Sequence, residues 1–545
     1  MSEQKRDRFE GLDSRARLWG GFRPLSWSAE VGVLGRVDRQ DVVRLPRRHR
    51  VTPGTFYERL AAHGHELVTD DDFAHCYAPG RGRPSIPPSV MVRALLLATH
   101  DKTSDVESAR RSRVDLDWRA ALGIGDDFGG IGATTLCSFR ARLLLHDADQ
   151  QMFTRTVERA VELGVLKGEV TAIIDSSSVI GAGAVADTYA LIRQLTHALA
   201  AVLQASRSKA TALAGRIPAA KPRIDWHDPN ARRAHLADLV AVARALLAQA
   251  AGVDDPAVVE AAGRLAKVLD DDVEPDPDDG APRIRQGVAR DRIVSATDPE
   301  QRHGRKSSSR RFDGYKTHLV TDQASELVVA VGVGPGNGAD GEAAAGLVGQ
   351  ARSHGVRVGE LLADMAYSNG DTRIAVEAAG AVLVAKVPPV TNGGRFAKTE
   401  FTIDLDAGRV TCPAGQITSD ARATTDAKGR TTSRFHFPDA VCAVCPLREQ
   451  CVKGARGRTI EISVHERRMA TARAAEHDPE VADKLRRRAK VERKIDHLQD
   501  VGMGKARYRG RRKTLLQLRL AAVVVNLDRL VALHTFLPTS QALAA

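Results

Sequence analysis

Three carboxylates frame the chemistry open to this chain. Asp175 closes a short apolar, β-branched run, Val170–Ile174, and is followed at once by serines and a Gly/Ala-rich turn (VTAIIDSSSVIGAGA). A run of this kind bounded by turn residues predicts a buried strand with the acid at its carboxyl end, where α/β sheets place their chemistry. Asp364 ends a second run, Glu360–Ala363, in the same way, and Glu492 lies on a late helix. The plainer alternative for Asp175 is a hydrogen bond to its own turn. Far apart in sequence, the three acids converge only through folding. Held together they repel unless a cation neutralises them, and hard oxygen donors select Mg²⁺ or Mn²⁺ over zinc. Two such ions about 3.5–4 Å apart activate a water or a 3′-hydroxyl and stabilise the leaving oxygen of an in-line phosphoryl transfer.

The elements that must position these acids read as a mixed α/β sheet. After the Asp175 strand come a hairpin (Tyr315–Thr321 and Glu326–Val333), a helix (Gly341–His354), the Asp364 strand, a helix (Asp371–Ala379) and a strand (Ala381–Lys386). GVGPGNG at 332–338 does not fit the dinucleotide fingerprint and reads as a turn. The hairpin makes one strand antiparallel to the rest. Upstream, four short helices are expected between Pro88 and Leu145. Ser104 and Glu107 form a capping box, and Thr134 or Thr135 caps the fourth helix. Between the first strand and the hairpin, Ala/Leu/Arg helices read as an insertion that ends in an acidic, proline-rich solvated linker, Asp270–Gly280. Residues 388 to about 463 alternate like strands and hold four of the six cysteines. Asp478-Pro479 opens a helix running through Glu492 to about Gln499, and an amphipathic helix closes the chain.

The expected divisions are an N-terminal arm (1–60), a helical DNA-binding or dimerisation domain (61–160), a catalytic core (165–186, 310–387 and 465–535), a helical insertion (187–300) and a β-rich, Cys-containing insertion (388–463). Hydrophobic residues make up 43% and charged residues 27%, which suits a globular chain; aromatics are only 4%, so Ala, Val and Leu must build the core. The formal charge of +12 favours a polyanionic partner, most often nucleic acid. The charged first residues resemble no secretory signal, and the apolar stretch Leu515–Leu533 carries Arg519, Asn526, Asp528 and Arg529, so no membrane partner is expected. A cytoplasmic, nucleoid-associated protein follows, and its reducing surroundings argue against disulfides.

Cys412, Cys442, Cys445 and Cys451 (TCPAGQ…VCAVCPLREQC) offer four thiolates for a structural zinc, with a redox C-x-x-C or plain buried thiols as alternatives; Cys76 and Cys137 read as core. Arg302, His303, Arg305, Lys306, Arg310, Arg311 and Lys316 enter the hairpin as a basic run suited to DNA backbone. Lys505, Arg507, Arg509, Arg511 and Arg512 invite the same reading, with Tyr508 able to stack on a base. Trp226 reads as a packing residue before a wedge into DNA.

The stretch DSSSVIGAGAVADTYALIR after Ile174, DPEQRHGRKSSSRRFDGYKTH at 298–318, ADMAYSNGDTR at 363–373 and RRRAKVERK at 486–494 together resemble the bacterial insertion-sequence transposases of the DDE type, over nearly the whole chain from about residue 70 to 535. The resemblance implies a ribonuclease H-like core, binding to terminal inverted repeats, and cut-and-paste strand transfer of double-stranded DNA by at least a homodimer on DNA. It makes Asp175, Asp364 and Glu492 the acidic triad around Mg²⁺ or Mn²⁺, and brings Arg488, Lys490, Arg493 and Lys494 to DNA. Many relatives surround the glutamate with Y-x₂-R-x₃-E-x₆-K; here the positions hold Leu485, Arg488, Glu492 and Gln499, so the middle pair alone matches. Glu476 and Glu480 are rival glutamates that lack the preceding arginine and the mid-helix position. A structure-specific DNA nuclease on the same core, or a DNA-binding protein without catalysis, is the alternative.

Overall fold

The computed structural model describes residues 34–35, 51–78, 84–125, 127–206, 215–307, 309–425 and 429–533. Most of the expected N-terminal arm, residues 80–83 of the basic turn and the end of the expected core beyond 533 lie outside the described residues.

A six-stranded mixed sheet organises the molecule. Its strands are β1 (Glu169–Ile180), β2 (Arg302–Arg305), β3 (Arg311–Asp322), β4 (Val328–Pro335), β5 (Arg357–Leu362) and β6 (Val382–Val384). β1 is central, with β3 antiparallel on one side and β5 then β6 parallel on the other; β4 and β2 both pair antiparallel with the far edge of β3. The expected order of elements is present, with one correction. Asp175 does not end its strand, because β3 goes on accepting the ladder through the serines as far as Ile180 opposite Gly314. Only the parallel pairing with β5 stops early, at Ile173 opposite Leu362. Gly314 makes the close approach possible, since a Cβ there would stand 2.0 Å from the Val179 carbonyl oxygen.

Around the sheet pack the N-terminal helices α1 (Phe56–Leu67), α2 (Pro88–His100), α3 (Asp105–Val114), α4 (Leu116–Leu122), α5 (Ala133–Leu145) and α6 (Asp149–Glu162). Ser104 caps α3 by accepting from the Glu107 N–H, but the return half of the expected capping box is not made because the Glu107 carboxylate binds Arg110 and Arg111; α5 begins after Gly132 without a side-chain cap. These helices and the sheet share one continuous hydrophobic core. The last helix, Arg511–Ala532, is buried along most of its length and joins them. Asn526 on that helix donates to the Val328 carbonyl and accepts from the Val328 N–H, both at 2.8 Å. Asp149, fully buried at the start of α6, binds Arg512 (2.8 Å) and Arg519 (2.7 Å) of the same last helix.

Two insertions carry cores of their own. The first contains α7 (Thr188–Ala205), α8 (Pro229–Ala250) and α9 (Pro256–Asp272), whose Leu and Val side chains close on one another. Trp226 packs edge-on against Tyr189 and His235, a packing role. The acidic stretch is not a solvated linker: Asp270–Asp272 finish α9, and Val273–Pro275 pairs with Pro282–Ile284 in a small hairpin. Asp272 is only 5% exposed because it accepts from Arg292 (2.7 Å) and Thr188 (2.8 Å). The second insertion holds two three-stranded sheets around Phe401, Val410, Phe435, Phe437, Ile460 and Ile462. After it come α10 (Glu466–Ala475), α11 (Pro479–Arg487) and α12 (Lys490–Leu498). The expected single helix through Glu492 is therefore two, broken at Arg488-Ala489.

Candidate active site

Strand register brings the two aspartates together. Two residues beyond the last parallel pair, Ile173 with Leu362, come Asp175 on β1 and Asp364 just past the end of β5. Neighbouring strands lie about 4.8 Å apart, so the two carboxylates feel one another. The Asp175 carboxyl is pushed above its ordinary range, first by burial and further by Asp364, while the Ser176 N–H and Arg488 oppose the shift. Asp364 caps the turn Met365–Tyr367 by accepting from the Ala366 N–H at 2.9 Å.

Glu492 reaches this pair through an arginine. Arg488 donates from Nη1 to Asp175 Oδ2 at 3.2 Å, and its Nη2 stands 3.7 Å from Glu492 Oε1. Glu492, one helical turn after Arg488, is 64% exposed. The break before α12 leaves Arg488 at the junction of α11 and α12, over the face of β1 that carries Asp175. Gln499, at the position where relatives place lysine, donates to Ser177 Oγ on the same strand at 3.4 Å. The rivals are engaged elsewhere: Glu476 accepts from the Val387 N–H, and Glu480 pairs with Lys484.

A second cluster adjoins the aspartates; its member Asp340 carries no sequence signal, and Tyr367 lies in the ADMAYSNGDTR stretch without being singled out there. Tyr367 is fully buried; burial, then Asp340 and Asp175, raise its phenol far above the usual range. His318 Nδ1 lies 3.2 Å from the Tyr367 hydroxyl, and burial lowers this imidazole to about 4, which leaves it neutral near pH 7. Lys316 donates to Asp340 and to the Gly338 carbonyl, both at 3.0 Å.

Several cations expected at DNA are occupied within the fold. Lys494 is 2% exposed, and burial lowers its ammonium to about 8; the alternation of α12 turns it inward beside the last helix, so it is not presented to DNA. Lys316 is held by Asp340, Lys490 by the Gln323 carbonyl, Arg493 by Glu326 and Arg302 by the Pro299 carbonyl. His303 pairs with Asp313, Arg507 with Asp105, Arg511 with Glu300 and Arg512 with Asp149. Tyr508 has the guanidinium groups of Arg140 and Arg507 over its ring. Arg305, Lys306 and Lys505 are exposed.

Two family models match the chain: one described as a transposase DDE domain over residues 411–531, and one described as a transposase domain (DUF772) over residues 45–142. They support a DDE-type insertion-sequence transposase. No curated protein and no solved structure matches. The transposase DDE match contains Glu492, Arg488 and the four cysteines near 412–451, while both aspartates lie outside the two matched spans. A transposase acts on DNA, and DDE transposases generally use divalent metals. Among the described residues, no three His, Cys, Asp or Glu side chains stand close enough to hold a metal ion. The donor chemistry nevertheless fits: Asp175 feels the charge of Asp364, and the guanidinium of Arg488 stands between Asp175 and Glu492 and supplies the neutralising charge. No helix among the described residues is long and apolar enough to cross a membrane.

Proposed function

We propose that this transposase binds the terminal inverted repeats of a mobile element, cleaves the phosphodiester at each end and joins the freed 3′-hydroxyl to target DNA. The observation that carries the reading is the register placing Asp175 beside Asp364, with Arg488 tying Glu492 to the same point. The strand order β4-β3-β1-β5-β6, with β1, β3 and β4 antiparallel in turn, β5 and β6 parallel to β1, and the short β2 added beside β3, supports a ribonuclease H-like core. Asp175, Asp364 and Glu492 would hold Mg²⁺ or Mn²⁺, which supplies charge neutralisation at the scissile phosphate. Arg488, which stands between Asp175 and Glu492, would be the guanidinium placed to bind a phosphate of the DNA beside them. Two ends must be cut together, so a homodimer on DNA is part of the proposal. His318, buried beside Tyr367, is itself neutral at neutral pH and leaves the Lys316–Asp340 pair as the charged part of that cluster.

We further assign a structural zinc to the Cys insertion. Burial raises the Cys451 thiol, Arg458 opposes the shift, and Cys442, Cys412 and Cys445 raise it further, so the other three cysteines lie near Cys451. Cys442 Sγ accepts from the Arg458 N–H at 3.5 Å, which fixes its place in the insertion. Zinc would draw the four into one shell and cross-link the insertion.

The test uses the full chain with a duplex carrying the element's end. Asp175→Asn, Asp364→Asn and Glu492→Gln should each reduce metal-dependent cleavage by about a thousand-fold or more while leaving end binding intact. A variant that still cleaves removes its residue from the triad, and cleavage without joined products points to a nuclease instead.

A further inference from the structure

A recess of 610 Å³ on the Cys insertion is lined by Arg395, Lys453, Arg456 and Arg458, and no carboxylate lines it. We propose that this recess is a clamp for the phosphodiester backbone of DNA, a contact that rests on the transposase reading and adds to it a surface far in sequence from the acidic residues.

The loop Lys453–Arg458 joins a short helix, Arg448–Cys451, to the strand Thr459–Ser463. Its shape is fixed by the protein. Arg448 donates to the Gly454 carbonyl at 2.7 Å, and Asp439 accepts from the Gly457 N–H at 2.6 Å. Gly457 runs against the neighbouring chain, where a Cβ would stand 2.0 Å from the Phe437 carbonyl oxygen. Arg458 donates to the Phe396 carbonyl at 3.2 Å and lays its guanidinium 5.6 Å from the centre of the Phe401 ring. The frame therefore spends one cation, Arg458, on holding the recess.

The other three have no such use. Among the described residues Arg395, Lys453 and Arg456 make no side-chain hydrogen bond or ion pair, and the Arg395 Nε is buried without an acceptor. A buried guanidinium nitrogen left unpaired costs free energy, and like charges gathered without counter-charge repel. An anion with several acceptor oxygens relieves both, and a phosphodiester backbone supplies such oxygens in series. The neighbouring thiols offer a competing explanation, since cations beside a four-thiolate centre can balance its charge.

The experiment measures binding of the full chain to a labelled duplex carrying the element's end, and to a scrambled duplex of equal length, across a range of salt. The variant is Arg395→Gln/Lys453→Gln/Arg456→Gln, with Arg395→Lys/Arg456→Lys as the charge-retaining partner. Each lost phosphate contact lowers the slope of log affinity against log salt by about one unit. The triple variant should therefore lose about three units and bind both duplexes roughly ten- to a hundred-fold more weakly, while the lysine variant keeps the slope. A triple variant that binds the end with the wild-type slope overturns the clamp and leaves the transposase reading standing. Loss of zinc with an unchanged slope assigns the cations to the thiolates and also overturns it. A wild-type chain that binds neither duplex overturns both readings at once.

Discussion

Two stretches look interchangeable as text, GKARYRGRRK at 504–513 and VKGARGRTI at 452–460, yet the fold treats their cations in opposite ways. In the first, Arg507, Arg511 and Arg512 meet Asp105, Glu300 and Asp149, acids delivered from hundreds of residues upstream. In the second, Lys453 and Arg456 meet none among the described residues. A run of arginines is thus ambiguous until the fold reveals which carboxylates arrive beside it. The first run is cement between the N-terminal helices and the last helix; the second is left free for an outside anion.

The contrast breaks most visibly at Asp149. Asp149→Ala removes the acceptor shared by Arg512 and Arg519; Arg512 keeps Asp147, but the buried Arg519 loses its carboxylate partner, so stability should fall by about 3–5 kcal/mol in urea unfolding. If Arg512→Gln instead left stability untouched and lowered the salt slope of DNA binding, the two stretches would have to exchange roles. A middle effect is expected at Lys494. Its ammonium titrates at about 8 in the fold, below the value near 10.4 of a solvated lysine. The unfolded chain therefore binds the extra proton between these values, and stability should rise with pH from about 8 to 10. Lys494→Met should add on the order of 3 kcal/mol below pH 8, fading to nothing above pH 10.5. A flat pH profile in wild type would return Lys494 to the surface and to DNA. The smallest effect belongs to Arg511→Gln, whose partly exposed pair with Glu300 should cost about 1 kcal/mol or less by the same measurement.

The sequence was informative where a local pattern decides the structure. Apolar runs ending on acids predicted β1 and β5, and the hairpin and following helix fell where turn residues place them. The Ser104 cap held because its hydrogen bond to the Glu107 N–H spans three residues, whereas the return bond of the box is lost to Arg110 and Arg111. Legibility failed where the deciding partner is remote. Asp175 was expected at a strand end, but the continuing ladder depends on β3, more than a hundred residues later. Asp272 belongs to an acidic stretch and is buried because Arg292 and Thr188 close on it. At the candidate site the three acids were readable as types. Asp340 was not, since nothing around it marks it apart from an ordinary turn residue, and Tyr367, although inside ADMAYSNGDTR, gains its place only through buried contact with His318 and the nearby acids.

Asn526 carries a consequence of its own. Its carboxamide mimics an adjoining backbone at the rim of β4, satisfying a donor and an acceptor that would otherwise invite pairing by a foreign chain. That plug disfavours fibre-like stacking of sheets from neighbouring copies of the chain.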